Sequence, residues 1–142
     1  MFLDCFSLKP RKVVILLAGR HAGCKAVVVK TFEDGTHKRK FGHALVVGIE
    51  KTPLKVTKSM SKKKVLRRSR VKPFVKCVNY QHMMPTRYTV DIDLQNVVKS
   101  DGNDAETRST TRKQVKQVLE QRYLKSGKPT AGVTWFYSKL RF

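Results

Sequence analysis

Residues 51–76 hold eleven Lys or Arg side chains and not one Asp or Glu. A segment of that kind cannot enter a hydrophobic core, because a buried charge without a partner is too costly to desolvate. It therefore divides the chain into what can fold around apolar side chains and what must stay outside. In a protein whose formal net charge is already +21, the run cannot neutralise itself either. It stays solvated and self-repelling, or it lies against a polyanion whose counterions are released when it is covered. Nucleic acid, with a phosphate on each nucleotide, offers negative charge at that density, and a single protein partner rarely does.

The 142 residues suit one domain, and 40% hydrophobic against 29% charged residues allows a modest core with basic extensions. No apolar run approaches the roughly 20 residues needed to cross a bilayer, and residues 13–18 are far too few. Residues 1–8 lack the basic head, long apolar stretch and small-residue cleavage site of a secretory signal, so an intracellular protein is expected. Cys5, Cys24 and Cys77 are odd in number and widely spaced, which fits neither a disulfide framework nor zinc-ligand spacing and reads as three reduced thiols. His21, His37, His43 and His82 show no i, i+4 pairing. No metal and no cofactor is expected.

Before the basic run the chain is β-like. Residues 13–17 (VVILL), 26–29 (AVVV) and 43–49 (HALVVGI) are short, branched and bracketed by turn residues. Gly19 and Gly23 can take positive φ and close a reversal between the first two strands. Glu33-Asp34-Gly35-Thr36 marks a second turn. After Pro73 two further β-like runs, 74–80 and 87–92, can complete a small antiparallel sheet or barrel. Within the basic run, residues 59–70 have a helical reading with Ser59 or Ser61 as N-cap and Val65 and Leu66 as a sparse apolar face. Its cations spread around such a helix, which would not build the core.

Half of the acids, Asp91, Asp93, Asp101, Asp104 and Glu106, fall in one span of sixteen residues, a span expected to face away from a polyanion. Asp104 can cap a helix reaching to about Ser126, with Val115, Val118, Leu119 and Tyr123 on one face and Gly127 and Pro129 as the stop. Arg112, Lys113 and Lys116 then lie on its exposed side. The ending, residues 135–142 (WFYSKLRF), is too aromatic for a free tail.

Residues 12–30, with an apolar strand, the Gly19 and Gly23 turn and a second apolar strand, resemble a KOW motif, a short RNA-binding unit of ribosomal proteins and transcription elongation factors. Residues 74–88 (FVKCVNYQHMMPTRY) and 135–142 resemble the eukaryotic L27 family of large-subunit ribosomal proteins, and together these matches cover nearly the whole chain. The departures are local: Arg11 where that family usually has glycine, Cys24 where a basic residue is common, an amino-terminal extension, and residues 97–109. The resemblance implies a mainly β fold with α extensions (α+β), an SH3-like barrel containing the KOW unit. Residues 1–95 would form the barrel, with a basic insertion at about 51–72, and residues 96–142 a helical extension with an aromatic tail. It further implies ribosomal RNA and neighbouring ribosomal proteins as partners, a structural place in the 60S subunit, and a cytoplasmic location after assembly in the nucleus. Residues 62–70 also fit a nuclear import signal.

The candidate RNA contacts follow from both readings. Lys12, Arg20, His21 and Lys25 flank the glycine turn. Lys51, Lys55, Lys58, Lys62, Lys63, Lys64, Arg67, Arg68, Arg70 and Lys72 form the basic run. His82, Thr86 and Arg87 are placed in a loop with Met83 turned to packing, and Arg112, Lys113 and Lys116 lie on the later helix. Lys139 and Arg141 are interleaved with tail aromatics whose commoner fate is burial. That tail, Trp135, Phe136, Leu140 and Phe142, is expected to find much of its apolar cover outside the small barrel. The bland alternatives are a plain hairpin for the glycines and a solvated or disordered arm for the cations.

Catalysis has little to stand on: there is no nucleophile elbow, P-loop, dinucleotide-binding glycine pattern or acid/base pair, and a non-enzyme is expected. A transcription elongation factor fragment and a histone-like packing protein are the competing classes. Replacing Lys62, Lys63, Lys64, Arg67 and Arg68 by Gln should weaken binding to an rRNA fragment. It should also flatten the salt dependence by about 0.7–0.9 of a log unit per phosphate contact removed. An unchanged salt slope would remove these five from the interface.

Overall fold

Strands that are apolar at consecutive positions, rather than alternately, have to be covered on both faces. The computed structural model, which describes residues 8–98, 105–125 and 127–141, meets that requirement in two ways. Its elements run β1 (Lys12–Leu16), β2 (Lys25–Phe32), β3 (His43–Lys51), α1 (Lys62–Arg68), β4 (Lys72–Asn79), a single 3-10 turn (Tyr80–His82), β5 (Met83–Thr89), α2 (Ala105–Lys125) and α3 (Ala131–Tyr137). The strands form one antiparallel sheet in the order β4-β3-β2-β1-β5. Register shifts between Val28 and Lys30, Lys12 and Val14, and Ile49 and Lys51 interrupt the ladders, and such bulges bend and twist the strands that carry them.

One face curls upon itself. Val14, Leu16, Ala26, Val28, Ala44 and Val46 from the central strands share a cluster with Phe74 and Val78 of β4 and Met83 of β5, so side chains from both sheet edges meet there. The backbone does not follow: β4 and β5 are not hydrogen-bonded neighbours, and the sheet is open where a closed barrel was expected. Gly48 makes the inner packing possible, since a methyl group there would collide with the Phe74 ring and the Lys25 carbonyl. The opposite face carries Val13, Val27, Val29, Leu45, Val47 and Ile49. It is covered by Val115 and Leu119 of α2, by Val133, Phe136 and Tyr137 of α3, and by Val90, Ile92, Leu94 and Val98 of the connecting segment.

Two expectations change. Residues 82–88 are not a loop: β5 runs Met83–Thr89, pairing with β1 through Val14 opposite Pro85. Proline is tolerated there because β5 is an edge strand and no further ladder needs its missing N–H. Residues 90–92, read as strand, lie beyond it, although Val90 N still donates to Arg11 O at 3.0 Å. The second change concerns the tail: Trp135, Phe136 and Tyr137 belong to α3, which packs into the body's own core, Leu140 is half-buried beyond it, and Phe142 lies outside the described residues. Phe136 is fully buried and Val133 and Tyr137 nearly so, because α3 shares with α2 and the connecting segment the cover of the sheet's outer face.

Two polar links and one close backbone approach hold that helix. Tyr137 Oη donates to Leu119 O at 2.8 Å. Gly132 abuts the backbone of Thr89 so closely that a Cβ would strike its carbonyl oxygen. Lys25 shares the helix-covered side of β2 with Val27 and Val29, and its Nζ donates to Trp135 O at 2.6 Å, Ser138 O at 2.8 Å and Ser138 Oγ at 3.0 Å. The same ammonium lies 4.1 Å from the centre of the Trp135 ring. Arg11, at the glycine-favouring position before β1, holds φ +71° and pairs with Asp91 at 3.0 Å across exposed surface, where such a pair stabilises little.

Phe136→Ala should therefore cost the free protein about 3–5 kcal/mol, read from denaturant midpoints. An unchanged midpoint would put the aromatic segment outside the core. Burial pulls the Lys25 ammonium down from the ordinary 10.5 to about 8. Between those values the unfolded chain keeps a proton that the folded one has released, so stability due to Lys25 rises with pH across that window and is lowest below it. Relative to Lys25→Met, the parent should gain about 1–2 kcal/mol between these limits, allowing for solvent access. Parallel pH profiles of the two proteins would count against it.

Candidate nucleic-acid interface

Positive charge excluded from both apolar layers collects along one edge of the sheet and on the basic insertion. The edge surface starts with the β1–β2 connection. Gly19 and Gly23 hold φ +88° and +79°, conformations that strain residues bearing a Cβ. Gly23 N donates to Leu16 O at 2.7 Å and Ala22 N to Gly19 O at 3.1 Å, which turns Arg20 and His21 out over β4. There the His21 ring lies flat on Phe74, with centroids 4.0 Å apart and planes 4° from parallel. Burial is the main cause that holds His21 below the ordinary imidazole value. Arg20, Lys76 and Lys72 push the same way, and Glu50 opposes them. The stacked ring fixes the loop against β4.

Lys72 and Lys76 flank Phe74 on the same side of β4, as period-two alternation requires. Arg20, His21, Glu50, Lys72, Pro73, Phe74 and Arg112 line one shallow depression. Within it Glu50 is the acid, 3.1 Å from Lys72 Nζ, and that hydrogen bond is the leading cause of its lowered pKa. Lys76 reaches the other side of the glycine loop, its Nζ 3.4 Å from where a Gly19 Cβ would sit. A second depression beyond it is lined by Gly19, Arg39, Phe41, Lys76, Asn79 and His82, among others. The cations thus run continuously from α2 across β4 to the β2–β3 connection.

The insertion forms a separate basic surface. Ser61 caps α1 by accepting from Lys64 N, and Lys62, Lys63, Lys64 and Arg67 are exposed, with no buried residue in the helix. Only its end is tied down, by Leu54 N to Arg68 O and Arg68 Nε to Lys55 O, both 2.8 Å. Leu54, Ser61, Lys63, Lys64, Arg67 and Arg68 enclose an open cleft of about 540 Å3. Lysine and arginine pairs at i, i+4 on so short a helix repel one another, and phosphate between them removes the repulsion.

The sequence-named residues distribute unevenly over these surfaces. Arg20, Lys51, Lys55, Lys58, Arg70, Lys72, His82, Arg87, Arg112, Lys113, Lys139 and Arg141 are exposed, while Lys12, His21 and Arg68 are half-buried. Lys25 leaves the set, because its ammonium is spent on α3. The proximity of Gly23 suggested RNA, whereas its alternation with Val27 and Val29 points inward. Thr86 leaves it too, since its hydroxyl donates to Val13 O at 2.7 Å and accepts from Tyr88 N. Lys116 is partly spent on Glu120 at 3.9 Å, the carboxylate that also accepts from Val71 N. Sequence reasoning passed over Lys76 and Arg39. The first was legible from its alternation with Lys72 and Phe74, the second from the run His37-Lys38-Arg39-Lys40.

Among the described residues no group of three His, Cys, Asp or Glu side chains could hold a metal ion, and no helix is long and apolar enough to cross a membrane. Cys24 and Cys77 are not disulfide-bonded, and burial, with Glu50 next, raises the Cys24 pKa, the opposite of what a reactive thiol requires.

Comparison with known proteins agrees with this layout. The model of the Ribosomal L27e protein family matches residues 13–142. The chain is 54% identical over 136 residues to the large ribosomal subunit protein eL27 of Pisum sativum, covering 95% of this chain and 97% of that protein. It is 51% identical over 136 residues to eL27z of Arabidopsis thaliana, with the same coverage, and 49% identical over 135 residues to eL27 of Pyrobotrys stellatus. Since the match takes in all five strands, the basic insertion and both carboxy-terminal helices, the chain belongs to the Ribosomal L27e protein family.

Proposed function

We propose that this protein is a structural constituent of the large subunit of a eukaryotic cytoplasmic ribosome, where it binds and stabilises folded rRNA and catalyses nothing. The observation that carries the reading is α1: a seven-residue helix with five cations, no acid and no buried side chain. No side chain of α1 is buried against the body and no acid offsets its cations, whereas a phosphate surface neutralises them. The names of its relatives, all large ribosomal subunit proteins, support the same assignment. An elongation-factor fragment or a histone-like packing protein would leave this family membership unexplained.

On this reading residues 12–30 act as a KOW unit, and the curled sheet, with Phe74, Val78 and Met83 sharing one cluster, is a half-open relative of the SH3-like barrel. Residues 1–95 supply the RNA-bearing body and residues 96–142 the extension that covers its outer face. Arg20, Lys72 and Arg112 contact one stretch of backbone, and the insertion, from Lys51 to Arg70, contacts another. Lys139 and Arg141 extend the surface past α3. Such contacts fix position without reading sequence. Neighbouring ribosomal proteins complete the surroundings, and the basic run serves nuclear import before assembly.

The test is co-sedimentation of the native protein with large subunits through a high-salt wash. Retention is expected, with loss on replacing Lys62, Lys63, Lys64, Arg67 and Arg68 by Gln. A protein that remains at the top of the gradient overturns the assignment. Equal affinity for duplex DNA and folded RNA would favour the packing protein instead.

A further inference from the structure

The depression between the glycine loop and the β2–β3 connection differs from the other basic surfaces in having an exposed aromatic ring. Phe41 is 46% exposed in a cleft of about 300 Å3 that Arg39, His43, Lys76, Asn79 and His82 also line. The cleft beside α1 has cations and no ring. Nothing in the fold requires an open phenyl face at Phe41, and the ring is held in place. It meets His43 edge-on, with centroids 5.8 Å apart and planes at 66°, and Tyr80 N ties the adjoining Gly42 O to the end of β4 at 3.3 Å.

The polar groups around it are those of a base-binding site. His43 is 1% exposed. Its Nδ1 lies 2.9 Å from Phe41 O, an acceptor, so Nδ1 carries the proton and Nε2 is left as an acceptor. That Nε2 has no hydrogen-bond partner among the described residues. Asn79 uses its Oδ1 to accept from Gln81 N at 3.1 Å, which leaves its NH2 group to donate. An acceptor and a donor beside an aromatic face, with Arg39, Lys76 and His82 around them, match an unpaired base and its two flanking phosphates. A phosphate alone has no use for the ring, and an apolar protein segment has none for the cations.

We propose that this cleft receives one unstacked base of the RNA, stacked on Phe41, its edge bonded by His43 and Asn79 and its phosphates held by Arg39 and Lys76. The inference rests on the RNA-binding reading above and goes beyond it by giving the protein one contact that requires single-stranded geometry. The probes are two duplex RNAs, one fully paired and one carrying a single-base bulge made of a fluorescent purine analogue. The full-length protein should bind the bulged RNA on the order of tenfold more tightly and quench its fluorescence. Phe41→Leu should abolish both the preference and the quenching while leaving the affinity for paired RNA and the melting temperature unchanged. The Lys62, Lys63, Lys64, Arg67 and Arg68 to Gln variant should weaken both RNAs equally and keep the preference.

Equal binding of the two RNAs without quenching overturns the inference while leaving RNA binding intact, and it would hand the cleft to a protein neighbour. A preference that survives Phe41→Leu overturns it as well, since the base would then sit elsewhere. Failure to bind either RNA overturns it together with the reading beneath it.

Discussion

A five-stranded sheet that is apolar on both faces has to be covered twice, and the rest of this structure follows from how a chain of 142 residues does so. Bulges let one face curl until Phe74, Val78 and Met83 from its two edges meet over the central strands. The other face cannot cover itself, and α2, α3 and the segment before α2 are recruited for it. Burial of that face is what makes an otherwise polar α2 dock by Val115 and Leu119, with Val118 and Tyr123 packed beside them. It also draws Lys25 inward, where an ammonium with three oxygen acceptors becomes a link between β2 and α3.

With both layers closed to charge, the cations are confined to the sheet edge, the loops and the insertion. The edge is organised by one stack of packed groups. Gly48 admits the Phe74 ring, Phe74 carries His21, and His21 holds the glycine loop so that Arg20 joins Lys72, Lys76 and Arg112. Core packing and surface electrostatics are thus coupled through a single aromatic side chain. The insertion is the opposite case: α1 has no buried residue and its stability depends on what lies against it, as expected of elements from the low-stability end of a structure.

Much of this was legible in the residues. Branched apolar runs located β1 to β4, the glycines located the first reversal, Ser59 and Ser61 bracketed the start of α1, where the structure uses Ser61, and the absence of acid over residues 51–76 located the insertion. What failed did so for reasons of pairing. The first half of β5, residues 83–86, looked like a loop because Pro85 and two methionines are poor strand formers, and its identity as an edge strand depends on having β1 as a neighbour. Lys25 and Thr86 looked like ligand contacts because a side chain's partners across 73 and 110 positions of sequence are invisible locally.

By itself the sequence determined that charge would be segregated from the core and that the chain would build a small β-rich body with a basic insertion and a carboxy-terminal helix. These properties are carried by composition and local periodicity, which act within a few residues of one another. Tertiary structure alone decided that the sheet stays open, that Phe136 and Tyr137 enter the body's own core, and that Phe41, His43 and Asn79 share one cleft with Arg39 and Lys76. Each of those depends on which distant surfaces are left uncovered once the strands have paired, a quantity that does not exist until the chain has folded.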